Sequence, residues 1–220
     1  MSKLVFRSLR ADEIDVRVQT VTEKGCSLLL YKDARCDMNI LDETVGALDW
    51  KREHTRDNAN CIVSIWDSNK GQWVSKEDTG TESNTEKEKG LASDSFKRAC
   101  FNWGIGRELY TSPFIWVTGY VTDYKGKMTV KEKFSVKSIE VKDGVITKLI
   151  IVDSKGNIVF KFEDDSEKAK KEKAIAMITK NLKEDDDERL EELLSKYKRH
   201  HLGECTEEEL KLIYNELYKK

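Results

Sequence analysis

Two neighbouring cations near the end of a predicted helix are the side chains best suited to chemistry in this sequence. Lys97 and Arg98 lie on the polar side of that helix, and Lys89 lies two turns earlier. Ammonium and guanidinium groups in such an arrangement can neutralise the phosphates of a nucleic-acid backbone. Arg107 follows the helix and adds another candidate cation. Lysine and arginine are also ordinary residues of solvated helix faces, so the pattern alone leaves both interpretations open.

A second cluster places an aromatic ring beside positive charge, in the order Trp50, Lys51, Arg52. Grooves that hold single-stranded nucleic acid combine cations with rings on which bases stack. Tryptophan is more often a core residue than a stacking platform, and Trp103 falls on the apolar side of the predicted helix. Trp50 and Trp66 are therefore the tryptophans expected to be free.

No catalytic constellation is visible in the sequence. His54, His200 and His201 are not part of an HExxH motif, and the chain lacks both the GxxxxGK[ST] phosphate loop and the GxSxG nucleophile elbow. Asp185-Asp186-Asp187 fits an exposed acidic turn better than a metal site. The five cysteines contain no CxxC pair and are odd in number, which favours reduced, buried thiols. We expect no catalytic residue, no metal and no cofactor, and the protein is not expected to be an enzyme.

Composition indicates a protein without a membrane span. The 220 residues carry a net charge of -2, and no apolar run approaches the roughly 20 residues that a spanning helix needs. The N-terminal residues lack the pattern of a secretory signal, so a cytoplasmic location is expected. Residues 161–220 hold 14 basic and 17 acidic side chains, so any basic site must be local.

The predicted helix that carries Lys97 lies within residues 85–110. Ser83 or Thr85 can cap its start, with Glu86 or Glu88 reaching back to the cap, and Gly104 ends it. One apolar side is expected to pack, and it consists of Ala92, Phe96, Ala99, Cys100 and Trp103. The opposite side is expected to be free, and it consists of Asp94, Lys97, Arg98 and Phe101.

The remaining patterns predict an α+β fold, an antiparallel β-sheet with packed helices, followed by a C-terminal helical module. Alternating apolar residues predict hairpins at 13–31 and 61–78, a strand at 48–54, and a short helix ending at Gly46. Further strands are expected at 114–122, 138–141, 145–152 and 158–162, and the sequence leaves open whether they join the core sheet. We divide the chain into a core of residues 1–162 and a linker with three short helices at 163–220.

The core resembles the Rad-fifty-two superfamily of single-strand annealing proteins, in particular the phage Sak-like branch. The resemblance covers residues 10–115 and depends on the order of elements as well as on residue types. The positions that carry it are Asn39, Glu43, Gly46, Trp50, Lys89, Ser93, Asp94, Lys97, Arg98, Ala99 and Gly104. Residues 163–220 have no counterpart in that core.

The resemblance implies a ββ(β)α core that assembles side by side into rings or filaments. Such proteins bind single-stranded DNA in a basic groove and pair it with a complementary strand without ATP, in recombination and repair. Lys97 and Arg98 would contact phosphates, with Arg35, Lys51 and Arg52 as further contacts. The chain departs from the pattern at Phe101, where eukaryotic members carry another basic residue, and at Arg35, which is offset by one position.

Three other functions stay open at this point. A nonspecific single-strand-binding protein would protect strands without pairing them, a metal-dependent nuclease would degrade them, and a purely structural oligomer would not bind DNA. The C-terminal module weakly resembles modules through which phage recombinases contact the host single-strand-binding protein, which makes that protein an expected partner.

Overall fold

The computed structural model describes residues 4–81, 87–182 and 186–218. The chain forms two compact units, with the division between Glu163 and Asp164; the division expected from the sequence lay one residue earlier. The proposed helix caps Ser83 and Thr85, together with Glu86, lie outside the described residues. No helix in the described parts of the chain combines the length and apolarity needed to cross a membrane.

The first unit contains eleven described strands and two described α-helices. The strands are β1 (Ile14–Thr22), β2 (Gly25–Lys32), β3 (Trp50–Thr55), β4 (Asn60–Asp67), β5 (Gln72–Thr79), β6 (Ile115–Val117), β7 (Val121–Tyr124), β8 (Lys127–Val130), β9 (Ser135–Lys142), β10 (Val145–Val152) and β11 (Ile158–Glu163). The helices are α1 (Ala34–Val45) and α2 (Lys87–Trp103). Short 3-10 helices precede β1 and follow α2, at Ala11–Glu13 and Arg107–Thr111.

These strands form three antiparallel sheets. The largest has the order β11-β10-β9-β1-β2-β6, the second is β3-β4-β5, and β7 and β8 form a separate pair. The sequence left open whether the strands after residue 113 join the core sheet. In the structure β6, β9, β10 and β11 join the sheet that contains β1 and β2. The single strand expected at 114–122 is wrong: it is two strands, β6 and β7, with Gly119 between them at φ 85°.

Local patterns account for the hairpins and for α1. Val16 pairs with Leu30 and Val18 with Leu28 in the β1–β2 ladder, so the apolar side chains of both strands face the same way. The carboxylate of Asp33 caps α1 by accepting the backbone N–H of Arg35 at 2.7 Å. Gly46 ends α1 with φ 91°. The α+β fold with antiparallel sheets, expected from the sequence, is confirmed.

Helix α2 is packed on more than one side. Phe96, Ala99 and Cys100 are fully buried, which confirms the apolar side expected from the sequence. The helix contacts β4 and β5, and it also contacts α1. The chain after β5 passes very close to it, because a Cβ at Gly80 would lie 2.5 Å from the backbone nitrogen of Ser95. Only glycine fits that close approach.

The opposite side of α2 is only partly free, so the sequence interpretation is wrong for Asp94 and Arg98. Asp94 Oδ2 accepts hydrogen bonds from the backbone N–H and the hydroxyl of Thr81, at 2.9 and 3.1 Å. Arg98 forms an ion pair with Asp78. Tertiary contacts therefore occupy polar residues that helical periodicity alone places in solvent.

The second unit is helical and has its own core. Its helices are α3 (Ser166–Asn181), α4 (Asp187–Lys196) and α5 (Glu207–Tyr218), with a 3-10 turn at Leu202–Glu204. Its buried side chains are Ile178, Leu193, Leu194, Cys205, Leu210, Ile213 and Leu217. The capping box expected before α5 is confirmed: the backbone N–H of Thr206 donates to Glu209 Oε2 at 2.7 Å, and the backbone N–H of Glu209 donates to Thr206 Oγ1 at 3.2 Å.

Candidate nucleic-acid interface

A groove of about 260 Å³ lies beside the β1–β2 hairpin and α2, and we call it the β2–α2 groove. It brings cationic and aromatic side chains from both elements and from the 3-10 helix after α2 to one surface. Its lining consists of Arg17, Leu29, Leu30, Tyr31, Lys32, Asp94, Lys97, Phe101, Leu109 and Tyr110. Of the residues selected from the sequence, Lys97 lies here.

Regular secondary structure explains how these side chains meet. In the β1–β2 ladder Arg17 is opposite Leu29 and Asp15 is opposite Tyr31, so Arg17 and Tyr31 are diagonal neighbours on one face of the hairpin. The Arg17 guanidinium carbon lies 5.9 Å from the centre of the Tyr31 ring. Lys97 and Phe101 are four residues apart on α2 and therefore share one side of that helix.

Three aromatic rings give the groove surfaces on which a base can stack. Phe101 and Tyr110 meet edge to face, with ring centres 4.9 Å apart. Tyr110 is 66% exposed and Tyr31 is 37% exposed. Phe101 thus contributes a ring that supports Tyr110.

Lys97 and Arg17 supply positive charge to the groove. Within the described parts of the chain, neither forms an ion pair. The charge of Lys97 acts on Asp33 without a direct contact. Hydrogen bonds from the side chain and backbone of Arg35 lower the pKa of Asp33, and the charge of Lys97 lowers it further. Burial raises the pKa of the Tyr31 hydroxyl, the charge of Asp15 raises it further, and the charge of Arg17 opposes the change. The groove therefore contains two cations available to an anionic ligand.

A buried ion pair lies under the groove. Lys32 is 1% exposed and its ammonium group is bonded to the carboxylate of Asp37, which is fully buried. The Lys32 ammonium also lies 4.3 Å from the centre of the Phe101 ring. Burial raises the pKa of Asp37 to about 6, against the opposing effect of Lys32. Gly106 makes room for this lysine, because a Cβ there would lie 2.6 Å from Lys32 Cε.

Arg98 and Arg107 are engaged in contacts within the fold. Arg98 Nε donates to Asp78 Oδ1 at 3.2 Å. Arg107 Nε and Nη2 donate to the backbone oxygen of Phe101 at 2.9 and 2.7 Å, and Nη2 also donates to that of Asn102 at 2.9 Å. Those carbonyls end α2, so Arg107 caps the helix. Asp78 therefore offsets the charge of Arg98, and three hydrogen bonds already use donors of Arg107, so both groups are less available to phosphate than Lys97 is.

Trp50 and Arg52 lie on the side of β3 that packs against α2. The indole N–H of Trp50 donates to Asp42 Oδ1 at 2.6 Å, and its ring stacks on Phe96 with centres 6.2 Å apart. The Arg52 guanidinium carbon lies 4.7 Å from the centre of the same Phe96 ring. The expectation that Trp50 is free is therefore wrong, because its ring and its N–H both have partners.

Lys51 lies on the opposite face of β3, beside two exposed tryptophans. Trp66 and Trp73, on neighbouring strands, are 38% and 40% exposed and meet edge to face at 5.5 Å. The Lys51 ammonium lies 5.2 Å from the centre of the Trp73 ring and forms an ion pair with Glu53 at 2.9 Å. The exposure expected for Trp66 is confirmed. The structure therefore places Lys51 on a different surface from Arg52.

The two remaining candidates lie at helix starts. Arg35, in the first turn of α1, has a side chain 81% exposed and forms an ion pair with Asp33 at 2.9 Å. Lys89 is exposed near the beginning of α2. Asp33, the ion-pair partner of Arg35, also interacts electrostatically with Lys97 of the β2–α2 groove.

Arg17, Tyr31 and Tyr110 were not selected from the sequence as site residues. The signal for Arg17 was present, because the alternation of Ile14, Val16 and Val18 places it on the opposite face of β1. Its pairing with the face that carries Tyr31 depends on hairpin register. Tyr110 reaches the groove only because the glycine-containing turn at 104–106 brings the chain back toward α2.

Among residues 4–81, 87–182 and 186–218, no three histidine, cysteine, aspartate or glutamate side chains are arranged to hold a metal ion. Comparison with protein-family models, with curated proteins and with solved structures found no match to this chain.

Proposed function

We propose that this protein binds single-stranded DNA in the β2–α2 groove and pairs it with a complementary strand without ATP, as a single-strand annealing protein of recombination and repair. The observation that carries the proposal is the presence of two cations, Lys97 and Arg17, that form no ion pair with any described residue and share one groove with the exposed rings of Tyr31 and Tyr110. Cations and stacking rings together are the usual means of holding a single strand without sequence preference.

The cations and the rings have separate tasks in this mechanism. Lys97 and Arg17 neutralise phosphates, while Tyr31 and Tyr110 offer faces for bases. Asp94 also lines the groove and repels phosphate, so the backbone of the strand is expected to follow Lys97 and Arg17. Bases beyond the stacked ones remain open to a second strand, and base pairing supplies the free energy of annealing.

Oligomerisation is part of the proposal because one groove of about 260 Å³ contacts only a short stretch of DNA. Repetition of the groove around a ring or along a filament of identical chains would turn weak contacts into tight binding. The same arrangement would hold a strand extended over several copies. We further propose that the C-terminal unit contacts the host single-strand-binding protein, so that the annealing unit reaches DNA already coated by it.

The direct test is the annealing of two labelled complementary oligonucleotides by the purified protein, without ATP, with and without magnesium, across a salt series. Pairing that slows as salt increases, with both strands intact, supports the proposal. Binding without pairing would instead make the protein a strand-protection protein. Loss of strands in magnesium would make it a nuclease, and absence of salt-sensitive binding would overturn the DNA-binding assignment altogether.

Lys97→Ala tests the groove itself. We expect weaker binding of single-stranded DNA and a salt dependence whose slope, in log–log form, decreases in magnitude by about 0.7, the value for one phosphate contact on a single strand. The fold should survive because the Lys97 side chain is only half-buried. Lys137→Ala is the matched control, since Lys137 is exposed on β9 and does not line the groove. Equal binding by the Lys97 and Lys137 variants would contradict the assignment.

A further inference from the structure

The C-terminal unit contains a second groove, of about 450 Å³, between α3 and α5. We call it the α3–α5 groove. Its lining consists of Lys170, Lys173, Ala174, Met177, Glu207, Leu210, Lys211, Tyr214 and Asn215. None of these residues was selected from the sequence as a site residue, and the annealing mechanism proposed above does not use them.

The lining of this groove includes a group of apolar side chains that can adapt to a ligand. Leu210 is fully buried, whereas Met177 is 46% exposed. Tyr214 packs edge to face on Tyr218, with ring centres 5.1 Å apart. An exposed methionine beside a tyrosine can bind an apolar side chain of a ligand. The flexible thioether adapts to the shape of that side chain, and the rigid tyrosine ring offers a flat apolar surface.

The polar part of the lining is basic. Lys211 forms an ion pair with Glu207 at 2.6 Å, and this contact lowers the pKa of Glu207. Lys170 and Lys173 are exposed, and neither forms an ion pair with any side chain that the structure describes. After Glu207 and Lys211 neutralise each other, two positive charges remain. They lie in a segment whose total charge is acidic, since residues 161–220 hold 17 acidic and 14 basic side chains.

We infer that the α3–α5 groove binds an acidic peptide segment of a partner protein, with one large apolar side chain of that segment against Met177 and Tyr214 and its carboxylates at Lys170 and Lys173. Charge complementarity selects the acidic peptide. A nucleic acid also carries negative charge, but its phosphate backbone would gain little from the apolar lining of the groove. The inference does not depend on DNA annealing.

The test measures the fluorescence anisotropy of labelled short peptides added to the full-length protein. One peptide contains aspartates and a single phenylalanine; in a second the phenylalanine is alanine, and in a third the aspartates are asparagines. We expect the first to bind more tightly than either of the others, and its affinity to decrease with salt. A labelled oligo-dT of similar length is the comparison ligand.

Variants locate the binding to the groove. Lys170→Glu/Lys173→Glu should weaken binding of the acidic peptide by about tenfold, since each reversal removes one attraction and adds one repulsion at an exposed position. Lys180→Glu is the matched control because Lys180 is exposed on α3 and does not line the groove. Both residues changed in the test variant are exposed, so folding should be retained. Annealing of uncoated strands should be unchanged in both variants.

Four results would overturn the inference. Absence of binding by the acidic peptide, or equal affinity for the acidic and the asparagine peptide, would exclude charge recognition. Unchanged affinity in Lys170→Glu/Lys173→Glu would exclude this groove. Stronger dependence of oligo-dT binding than of peptide binding on Lys170 and Lys173 would make the groove a nucleic-acid surface instead. Because annealing is measured on the same variants, failure of this inference is distinguishable from failure of the proposed function.

Discussion

The buried pair formed by Lys32 and Asp37 couples the β2–α2 groove to the core. Lys32 is 1% exposed and Asp37 is fully buried, and Lys32 also lines the groove. Transfer of two charges from water is costly, so such a pair contributes little net stability. Burial outweighs Lys32 in setting the pKa of Asp37, so protonation of this carboxyl is expected to favour the folded state.

The effect of Asp37 protonation on stability can be tested by comparing the wild type with Asp37→Asn over a pH series. The folded-state pKa of Asp37 is raised to about 6 from an ordinary value of 3.8, so the folded protein binds this proton more tightly than the unfolded chain does. The contribution of Asp37 to the free energy of unfolding should consequently increase as pH falls from about 6 toward 4, by up to about 3 kcal/mol.

The measurement is urea unfolding of the wild type and of Asp37→Asn between pH 7 and pH 4.5. The difference in unfolding free energy between the two should shift in favour of the wild type as the pH falls. A difference that stays constant over this range would show that the Asp37 carboxyl does not titrate there. Other carboxylates, such as Glu13 with its lowered pKa, are common to both proteins and cancel.

Arg98 is expected to contribute less to DNA binding than Lys97 does. Its guanidinium already pairs with Asp78, which offsets its charge, and Arg98 lies outside the lining of the β2–α2 groove. We expect Arg98→Ala to lower the affinity for single-stranded DNA by less than Lys97→Ala does and by no more than about fivefold, the equivalent of ~1 kcal/mol for one partly exposed charge contact. Asp78→Asn frees the guanidinium and should leave affinity equal or higher. A loss in Arg98→Ala as large as that in Lys97→Ala would contradict this ranking.

At the scale of elements, the C-terminal end of α2 depends on Arg107. Three hydrogen bonds from its guanidinium satisfy the backbone oxygens of Phe101 and Asn102. Lys76 Nζ also donates to the oxygen of Asn102, at 2.7 Å. A cation at this end also interacts favourably with the helix dipole. The same end holds Phe101 and Tyr110 in contact, so the cap supports one wall of the groove.

Arg107→Ala should lower the free energy of unfolding by about 1 kcal/mol. Arg107→Lys is the matched control, because it keeps the charge near the dipole but makes fewer hydrogen bonds, and it should recover part of the loss. Chemical unfolding followed by circular dichroism gives both values. If the alanine and lysine variants were as stable as the wild type, the observed hydrogen bonds would have no role in stability.

The elements that sequence reasoning predicted are those that local patterns determine. Alternation along β1 and β2, the Asp33 cap of α1 and the capping box before α5 depend on residues near one another in the chain. Alternation also places Lys32 on the same face as Leu28 and Leu30, so a buried lysine could have been anticipated. Its pairing with Asp37 could not, because it depends on how α1 packs over the sheet.

Long-range pairing accounts for what the sequence left open. The sheet is completed by Asp15 of β1 opposite Ser135 of β9, and nothing local in either strand selects the other. The same limit applies to the site. The sequence pattern predicts a free cation at Arg98 because it does not show that Asp78 of β5 lies beside it. It predicts an exposed ring at Trp50 because the contacts with Asp42 and Phe96 are also long-range.

At the scale of the whole molecule, the two units have separate hydrophobic cores. The first contains Phe96, Ile40 and Leu149 among its buried residues, and the second contains Ile178, Leu210 and Ile213. A chain that ends at Glu163 therefore keeps the complete β2–α2 groove and all core residues of the first unit. This division allows the proposed tasks of the two units to be tested separately.

Deletion of residues 164–220 should leave annealing of uncoated DNA unchanged and should slow annealing of DNA coated with the host single-strand-binding protein. The reason is that the groove remains intact while the proposed partner contact is lost. Strand pairing on both substrates, with the wild type and the deletion variant side by side, gives the comparison. Equal loss on coated and uncoated DNA would contradict the division of tasks.

The reactivity of the five buried cysteines can be used to measure when the protein unfolds locally. All five thiols are buried and unpaired: Cys26, Cys36, Cys61 and Cys100 in the first unit and Cys205 in the second. Burial raises the pKa of every one of them, which keeps them as unreactive thiols while the fold is closed. An alkylating reagent therefore records, on one chain and without any added label, when each of the two cores exposes its interior.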